Sequence, residues 1–166
     1  MLYANGDRYE GNWSHGDKNG YGVYSFSKSD GRFDVYEGEW AGGFMEGRGT
    51  MNYFNNDRYI GEWHRGLRHG MGMYINSNGD IYDGEWENDL KHGNGILKMK
   101  DSETYDGSWK AGQKNGLGEF IFRNGDRYNV RTNNIRGSGS TARGMAKGCI
   151  DGRQASSTKV HGSLIR

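Results

Sequence analysis

Four pairs of glycines in this chain have the spacing of a phosphate-binding loop, with four residues between them. The pairs are Gly11/Gly16, Gly38/Gly43, Gly61/Gly66 and Gly107/Gly112. In such a loop Lys and then Ser or Thr follow the second glycine, because the lysine reaches the phosphates and the hydroxyl binds Mg²⁺. Here the next residues are Asp17, Phe44, Leu67 and Gln113. We therefore expect no nucleotide cofactor and interpret these glycines as turn residues.

The histidines and the single cysteine are too scattered for a structural zinc site. His69 and His92 precede glycines in polar stretches, and Cys149 with His161 supplies two ligands at most. Structural zinc takes four ligands. The sequence therefore predicts neither a metal site nor any other cofactor.

Carboxylates recur beside three tryptophans, at Glu39, Glu62 and Glu85. A catalytic site needs a nucleophile, a base and an orienting group held together, whereas a carboxylate repeated at one position is typical of a solvated face. We expect these glutamates to form cross-strand ion pairs. The candidate cations are Arg8, Arg58 and Arg127, or Lys18, Arg68, Lys91 and Lys114. No enzymatic activity is expected.

A repeat explains the glycines. The pattern Tyr-x-Gly-x-Trp includes every tryptophan of the chain and returns after 27 and then 23 residues. Its members are Tyr9/Gly11/Trp13, Tyr36/Gly38/Trp40, Tyr59/Gly61/Trp63, Tyr82/Gly84/Trp86 and Tyr105/Gly107/Trp109. Each unit continues to a Gly-x-Gly, such as Gly20/Gly22. Self-similarity at a fixed short period indicates a repeat architecture.

Alternation within each unit predicts two β-strands. Residues i, i+2 and i+4 of a strand share one face, so Tyr, Gly and Trp point the same way. We expect the glycine to leave a slot that a ring of the neighbouring repeat covers. The Gly-x-Gly is expected to reverse the chain, and Asn-Gly pairs such as Asn78–Gly79 predict two-residue hairpin turns. The fold class is therefore all-β, an elongated, single-layer, twisted antiparallel sheet of tandem hairpins.

The segments "YEGEWAGGFMEGRGTMNYFNNDR" and "YDGSWKAGQKNGLGEFIFRNGDR" resemble MORN repeats. Five such repeats are expected after a partial repeat at residues 1–8. Their bounds are 9–35, 36–58, 59–81, 82–104 and 105–127. After Tyr128 the frame degenerates, since Val130 and Thr132 replace Gly and Trp. Residues 128–166 are interpreted as this degenerate start followed by a basic, disordered tail.

Charge is distributed unevenly along the chain. Of 22 basic and 21 acidic residues, seven and one respectively lie within 131–166. No apolar run approaches the length of a membrane span, and the start shows no signal-peptide pattern. A cytoplasmic location is expected. Anionic lipid could be reached through the basic tail, while nothing indicates nucleic acid.

The resemblance implies a non-catalytic scaffold for protein–protein interaction, like MORN proteins of ciliary and sperm structures. The alternatives are a membrane-targeting array and the regulatory segment of a larger enzyme. We expect an extended peptide or a helix to bind the aromatic face, and self-association through unpaired sheet edges. Specificity should reside in side chains that vary between repeats. The candidates are Met51, Tyr53, Tyr74, Leu97, Phe120 and Phe122.

Overall fold

The chain forms one open antiparallel sheet in which every strand pairs with its neighbours in sequence. The computed structural model describes residues 1–135, with the backbone alone for 132–135. The strands are β1 (Arg8–Ser14), β2 (Asp17–Ser27), β3 (Phe33–Ala41), β4 (Phe44–Asn52), β5 (Arg58–His64), β6 (Leu67–Ile75), β7 (Ile81–Glu87), β8 (Leu90–Lys98), β9 (Thr104–Lys110), β10 (Gln113–Ile121) and β11 (Arg127–Ile135). The predicted all-β sheet of tandem hairpins is confirmed.

Two kinds of turn alternate along the sheet. Within each repeat the chain reverses over two residues that both have positive φ, as at His15 (51°) and Gly16 (89°). That combination defines a type I′ turn, whose twist matches the flanking strands. Between repeats a longer loop closes with Tyr3 N–H donating to Asp7 O and Gly6 N–H donating to Tyr3 O. The prediction of two-residue turns at the Asn-Gly pairs was therefore wrong, because a three-residue loop with a left-handed third residue occupies these sites.

The Gly-x-Gly pairs do not reverse the chain, contrary to the prediction. Gly20 and Gly22 both lie inside β2, where Gly20 has φ 81° and Gly22 pairs with Gly11. The ladder between β1 and β2 is irregular between Gly11 and Trp13. The first glycine thus accommodates a left-handed residue within the strand, and the second permits close approach of a ring.

The longer spacing after the first repeat lengthens one hairpin rather than adding a separate loop. β2 and β3 contain 11 and 9 residues, against 9 and 7 for β4 and β5. Four extra residues therefore add two positions to each strand. The loop keeps the common form, with Lys28 N–H donating to Arg32 O.

The core lies on one face of this single layer. The five repeat tyrosines are at most 1% exposed, and the four tryptophans that follow a preceding repeat are 4–6% exposed. Adjacent hairpins bury these rings against each other, since residues 1–135 form no second sheet that could cover them. We call this side of the sheet the aromatic face.

The described sheet ends in two edge strands, β1 and β11. β1 pairs with β2 and β11 pairs with β10, so each has one neighbour among the described strands. The degenerate start at Tyr128 continues as part of β11. The rest of the segment 128–166, predicted to end as a disordered tail, lies outside the described residues from residue 136 onward. The described part of the chain contains no helix with the length and apolarity required to cross a membrane.

Candidate interaction face

Each repeat tyrosine covers the paired glycines of its own repeat. A Cβ built on Gly72 would lie 2.5 Å from two ring carbons of Tyr59, and Gly72 pairs with Gly61. The tyrosine hydroxyl then donates to Glu62 O at 2.9 Å. The glycines therefore do leave space for a ring, but the expectation that a neighbouring repeat supplies it was wrong. The ring folds back over its own hairpin because its hydroxyl finds an acceptor there.

The glycine between the tyrosine and the tryptophan of each repeat is enclosed by its own hairpin. The prediction that a ring of the neighbouring repeat covers this glycine was wrong, and Gly84 shows the reason. Gly84 is buried and pairs with Gly95, and the ladder is irregular between Gly84 and Trp86. A Cβ built on Gly84 would overlap the Gly95 Cα and lie 2.6 Å from Asn94 O and 2.9 Å from the Tyr82 hydroxyl. Gly84 therefore admits its partner strand and its own tyrosine, which leaves no room for a ring of another repeat. The same correction applies at the equivalent glycines, Gly11, Gly38, Gly61 and Gly107.

Each tryptophan joins its repeat to the preceding one. Trp86 packs edge-on against Tyr82 of its own repeat at 5.2 Å between ring centroids, and against Tyr59 of the preceding repeat at 5.3 Å. Its Nε1–H donates to Gly72 O at 2.9 Å. Trp40, Trp63 and Trp109 make the same hydrogen bond to glycine carbonyls of the preceding repeat. Trp13 has no such donor contact among the described residues and is 44% exposed.

The six residues predicted to bind a partner all lie on the aromatic face, at different depths. Met51 and Phe120 are 6% and 4% exposed and belong to the buried cluster. The other four are half-buried against that cluster: Tyr53, Tyr74, Leu97 and Phe122. Their role in binding stays a prediction, and the half-buried four are the members that a ligand can reach.

A row of cations lies across the rings and was not predicted. The Lys18 Nζ is 4.8 Å from the ring centroids of Tyr24 and Trp40. Arg68, Lys91 and Lys114 take the same place in the third, fourth and fifth repeats. The expected ion pairs of these cations with the glutamates were wrong, because the two sets lie on opposite faces. The sequence does indicate this placement. Lys18 and Tyr24 are six residues apart in one strand, and an even separation puts both side chains on the same face.

Two of these lysines share a ring and are poorly solvated. Lys91 and Lys114 lie 5.1 and 6.0 Å from the Trp109 centroid. Burial, with the charge of Lys114 as a smaller contribution, lowers the pKa of Lys91 to about 8. Burial also lowers the pKa of Lys114. Cation–π attraction offsets part of this desolvation cost, so the aromatic face carries positive charge set into an apolar layer.

An aspartate two residues before the repeat tyrosine connects successive loops. Asp57 accepts hydrogen bonds from Ser77 N–H at 2.7 Å and from the Tyr74 hydroxyl at 2.8 Å. Asp7, Asp34 and Asp80 likewise accept from a backbone N–H twenty residues later. Burial raises the pKa of Asp57, but the hydrogen bonds from Ser77 and Tyr74 outweigh it and lower the pKa overall. The aspartates thus hold the repeats in register.

The recurring glutamates support the backbone on the opposite face. Glu39 accepts from Arg48 N–H at 3.1 Å, and Glu85 accepts from Asn94 N–H at 2.8 Å. Each carboxylate lies over a left-handed glycine, Gly47 and Gly93 respectively. Their role in this arrangement is to stabilise the bend of the strand.

The histidines occupy turn-proximal positions. His64 Nδ1 lies 2.9 Å from Glu46 Oε1, and the His64 and His69 rings are 5.7 Å apart. Across residues 1–135 no three His, Cys, Asp or Glu side chains come together in a way that could hold a metal ion.

The aromatic face is therefore an extended surface built by repetition, which defines the class as a tandem β-hairpin repeat protein. The MORN repeat matches this chain at residues 9–31, 36–58, 59–81, 82–104 and 105–127. The chain belongs to the MORN-repeat family. MORN repeats are interaction modules for proteins or membranes and are generally non-catalytic. Comparison with curated proteins finds no match.

Proposed function

We propose that this protein is a non-catalytic scaffold that binds a protein partner along its aromatic face. The observation that supports this is the division of that face into a constant and a variable part. The repeat tyrosines, and the repeat tryptophans other than Trp13, are buried and identical. By contrast, one equivalent position holds different half-buried side chains, namely Tyr53, Asn76, Met99 and Phe122. Variable groups on a constant frame provide specificity.

The partner is an extended peptide or a helix with apolar side chains. Tyr53 and Tyr74 lie 6.0 Å apart between ring centroids, and Leu97 and Phe122 are also half-buried against the core. Such a row offers apolar sites along the sheet, one per repeat. The lysines between them supply polar contacts at the margins.

Substitutions taken from the chain's own repeats test this proposal. Asn76 stands where Tyr53 and Phe122 stand, so Tyr53→Asn and Phe122→Asn should leave the sheet folded. Affinity purification of the full chain with quantitative mass spectrometry should show partners that are lost in the double variant. The strongest candidate is then purified and its dissociation constant measured for both proteins.

Asn52→Ser is the matched control. Asn52 neighbours Tyr53 but faces the other side of β4, and Ser25 holds its position in the first repeat. This variant should retain the partners. If the double variant binds the purified partner as tightly as the wild type, the aromatic face is not the binding surface.

The finer proposal places the scaffold in cilia, flagella or sperm structures, within the cytoplasmic compartment. It rests on the resemblance that we infer from "SKSDGRFDV" and "NSNGDIYDGEWENDLKHGNG" to MORN repeat-containing protein 3, with radial-spoke-head MORN proteins as close competitors. A tagged full-length chain should concentrate at the axoneme in ciliated cells. A uniform distribution in such cells would remove this location while leaving the binding proposal intact.

A second candidate function is attachment to anionic membranes. The charge of residues 131–166 favours it, with seven basic residues and one acidic residue. The full chain should then sediment with vesicles containing phosphatidylserine at low salt. A variant with Arg143, Lys147, Arg153 and Lys159 changed to Gln should remain in the supernatant. If both proteins sediment equally, the tail is not the membrane contact.

A further inference from the structure

The face of the sheet opposite the aromatic layer carries an apolar patch at the third repeat. Ile60 pairs with Met73 across β5 and β6, and Ile75 pairs with Ile81 across β6 and β7. Met71 precedes Met73 by two residues and therefore lies on the same face. Ile60 and Met71 are 40% and 53% exposed. We call Ile60, Met71, Met73, Ile75 and Ile81 the outer patch.

The fold does not require an apolar residue at the centre of the outer patch. The four other repeats place an acid at the position of Ile60, namely Glu10, Glu37, Asp83 and Asp106. The fourth repeat places Asn94 at the position of Met71. These repeats pair with the same strand order. An exposed apolar cluster that folding does not demand indicates a surface that another molecule covers.

Carboxylates border the outer patch. Asp83 pairs with Met73, and Glu85 pairs with Met71, so each carboxylate lies on the same face beside an exposed or half-exposed methionine. Asp83 is exposed and makes no ion pair among the described side chains. Glu62 lies two residues from Ile60, and the basic residues at the margin are Arg48, Arg58 and Lys98. Negative charge thus dominates beside the two methionines, whereas Arg58 and Lys98 lie beside Ile75 and Ile81 at the other end of the patch.

This charge selects among the candidate occupants. A second copy of the chain docked methionine end to methionine end would bring the same carboxylates against these, and an anionic membrane would be repelled at that end. A segment with lysines or arginines beside its apolar side chains is complementary to both parts of the surface. It would bury the methionines and neutralise the carboxylates together.

We propose that the outer patch is a second protein-binding surface, whose partner is a basic amphipathic segment. Its apolar side chains cover the patch, and its lysines or arginines pair with Asp83 and Glu85. The two faces of the third repeat then bind different partners, so that the array can bring two proteins together across one layer of sheet. The joining of two proteins rests on the function proposed for the aromatic face, whereas binding at the outer patch does not.

A defined peptide tests the surface on the full chain. The probe is a synthetic helix-forming peptide with leucines on one face and lysines on the other, labelled for fluorescence anisotropy. Ile60→Glu combined with Met71→Asn converts this part of the third repeat to the acid-and-asparagine pattern of the fourth repeat. The affinity should fall about tenfold, even though the substitution adds negative charge. An affinity that is unchanged or higher would mean that the peptide binds by charge alone and would overturn the proposal.

Two further variants separate the contributions. Asp83→Asn should weaken binding several-fold and reduce its dependence on salt. Leu117→Asn is the matched control, because Leu117 is 67% exposed on the same face but belongs to the fifth repeat. It should bind like the wild type.

The competing occupants give distinct outcomes. Failure of the wild type to bind the peptide would overturn the partner class. Concentration-dependent dimerisation that the double variant abolishes would assign the patch to a second copy instead. Sedimentation with phosphatidylserine vesicles that the double variant abolishes would assign it to a membrane. None of these outcomes would change the interpretation of the Tyr53→Asn and Phe122→Asn experiment, which tests the aromatic face alone.

Discussion

The contact between a repeat tyrosine and the paired glycines shows how single residues determine this sheet. Gly61 and Gly72 face each other across β5 and β6, and the Tyr59 ring lies over both. The glycines allow the ring to lie flat against the backbone, where its hydroxyl donates to Glu62 O. The aromatic layer is consequently thin, and the next tryptophan can reach the ring edge.

Gly72→Ala should destabilise the protein by roughly 1–3 kcal/mol. The added methyl group would lie 2.5 Å from ring carbons of Tyr59, so the ring must move and its hydrogen bond is strained or lost. Urea unfolding followed by circular dichroism measures the change. Gly125→Asn is the control, because a Cβ on Gly125 meets no atom within 4 Å and Asn56 adopts the same left-handed conformation in another repeat. Equal effects of the two substitutions would contradict the steric explanation.

Lys91→Met should raise the free energy of unfolding at neutral pH by roughly 1 kcal/mol. Met45 fills the equivalent position in the second repeat, so methionine fits the aromatic layer. Burial lowers the pKa of Lys91 to about 8, whereas an unfolded lysine keeps its proton up to about pH 10.4. Between these values the unfolded chain binds more protons than the folded chain, so the wild type gains stability as the pH rises.

The advantage of Lys91→Met should therefore shrink from about pH 8 to about pH 10.4. Unfolding curves for both proteins across that range provide the measurement. Lys110→Met is the reference for the loss of a lysine, since Lys110 is exposed on β9. A constant difference for Lys91→Met would show that the ammonium group is well solvated in the folded protein.

Between elements, the tryptophans join one hairpin to the previous one. Trp86 contacts rings on both sides and donates to the carbonyl of Gly72 in the preceding repeat. Trp13 begins the series and is largely exposed. The same residue type thus has two environments in one chain, which allows the interface contribution to be measured against an internal reference.

Trp86→Phe should cost about 2–4 kcal/mol, because it leaves a cavity and removes the only described side-chain donor to Gly72 O. Trp13→Phe should cost less than about 1 kcal/mol. Both values come from urea unfolding under the same conditions. Similar costs at the two positions would mean that the hydrogen bond and ring contacts across the interface contribute little.

Much of this element arrangement follows from the sequence. The Tyr-x-Gly-x-Trp alternation predicts the strands and their shared face, and the constant spacing predicts equivalent hairpins. The chain reversal was predicted at the wrong glycines, because a glycine in a turn looks the same in sequence as a glycine that leaves space for a ring. Gly16 reverses the chain, whereas Gly22 lies beneath Tyr9 and Gly84 lies against Gly95 of its own hairpin. The ion pairs were misassigned because the strand parity of Lys18 was not used.

β11 shows a different limit. Its side chains lose the repeat pattern after Tyr128, yet the backbone from Arg127 to Ile135 pairs with β10. An open sheet edge accepts any extended segment, since the hydrogen bonds involve only the backbone. The outer patch was not predicted either. Its residues lie on the solvent-facing side of the strands, where the Tyr-x-Gly-x-Trp pattern does not specify the residue type.

The whole molecule behaves as a one-dimensional array, because each strand contacts its sequence neighbours and no second layer exists in the described chain. Deleting residues 59–81 should therefore leave a shorter folded sheet. The junction would join Arg58 to Tyr82, which restores the frame. Asp57 would meet Lys100 N–H as Asp80 does now, and Trp86 would donate to Gly49 O as Trp63 does now.

The shortened chain should keep its strand signal in circular dichroism and unfold cooperatively with somewhat lower stability, because one interface between repeats is lost. Deleting residues 59–69 instead removes all of β5 except Arg58, the turn after it and the first three residues of β6. Arg58 is then joined to Gly70, so that the remainder of β6 follows β4 without its tyrosine and tryptophan partners. That chain should unfold or aggregate. If the two deletions were equally tolerated, the register set by the aspartates, tyrosines and tryptophans would not be what stabilises the sheet. If neither folded, the repeats would depend on each other over distances longer than their shared interfaces.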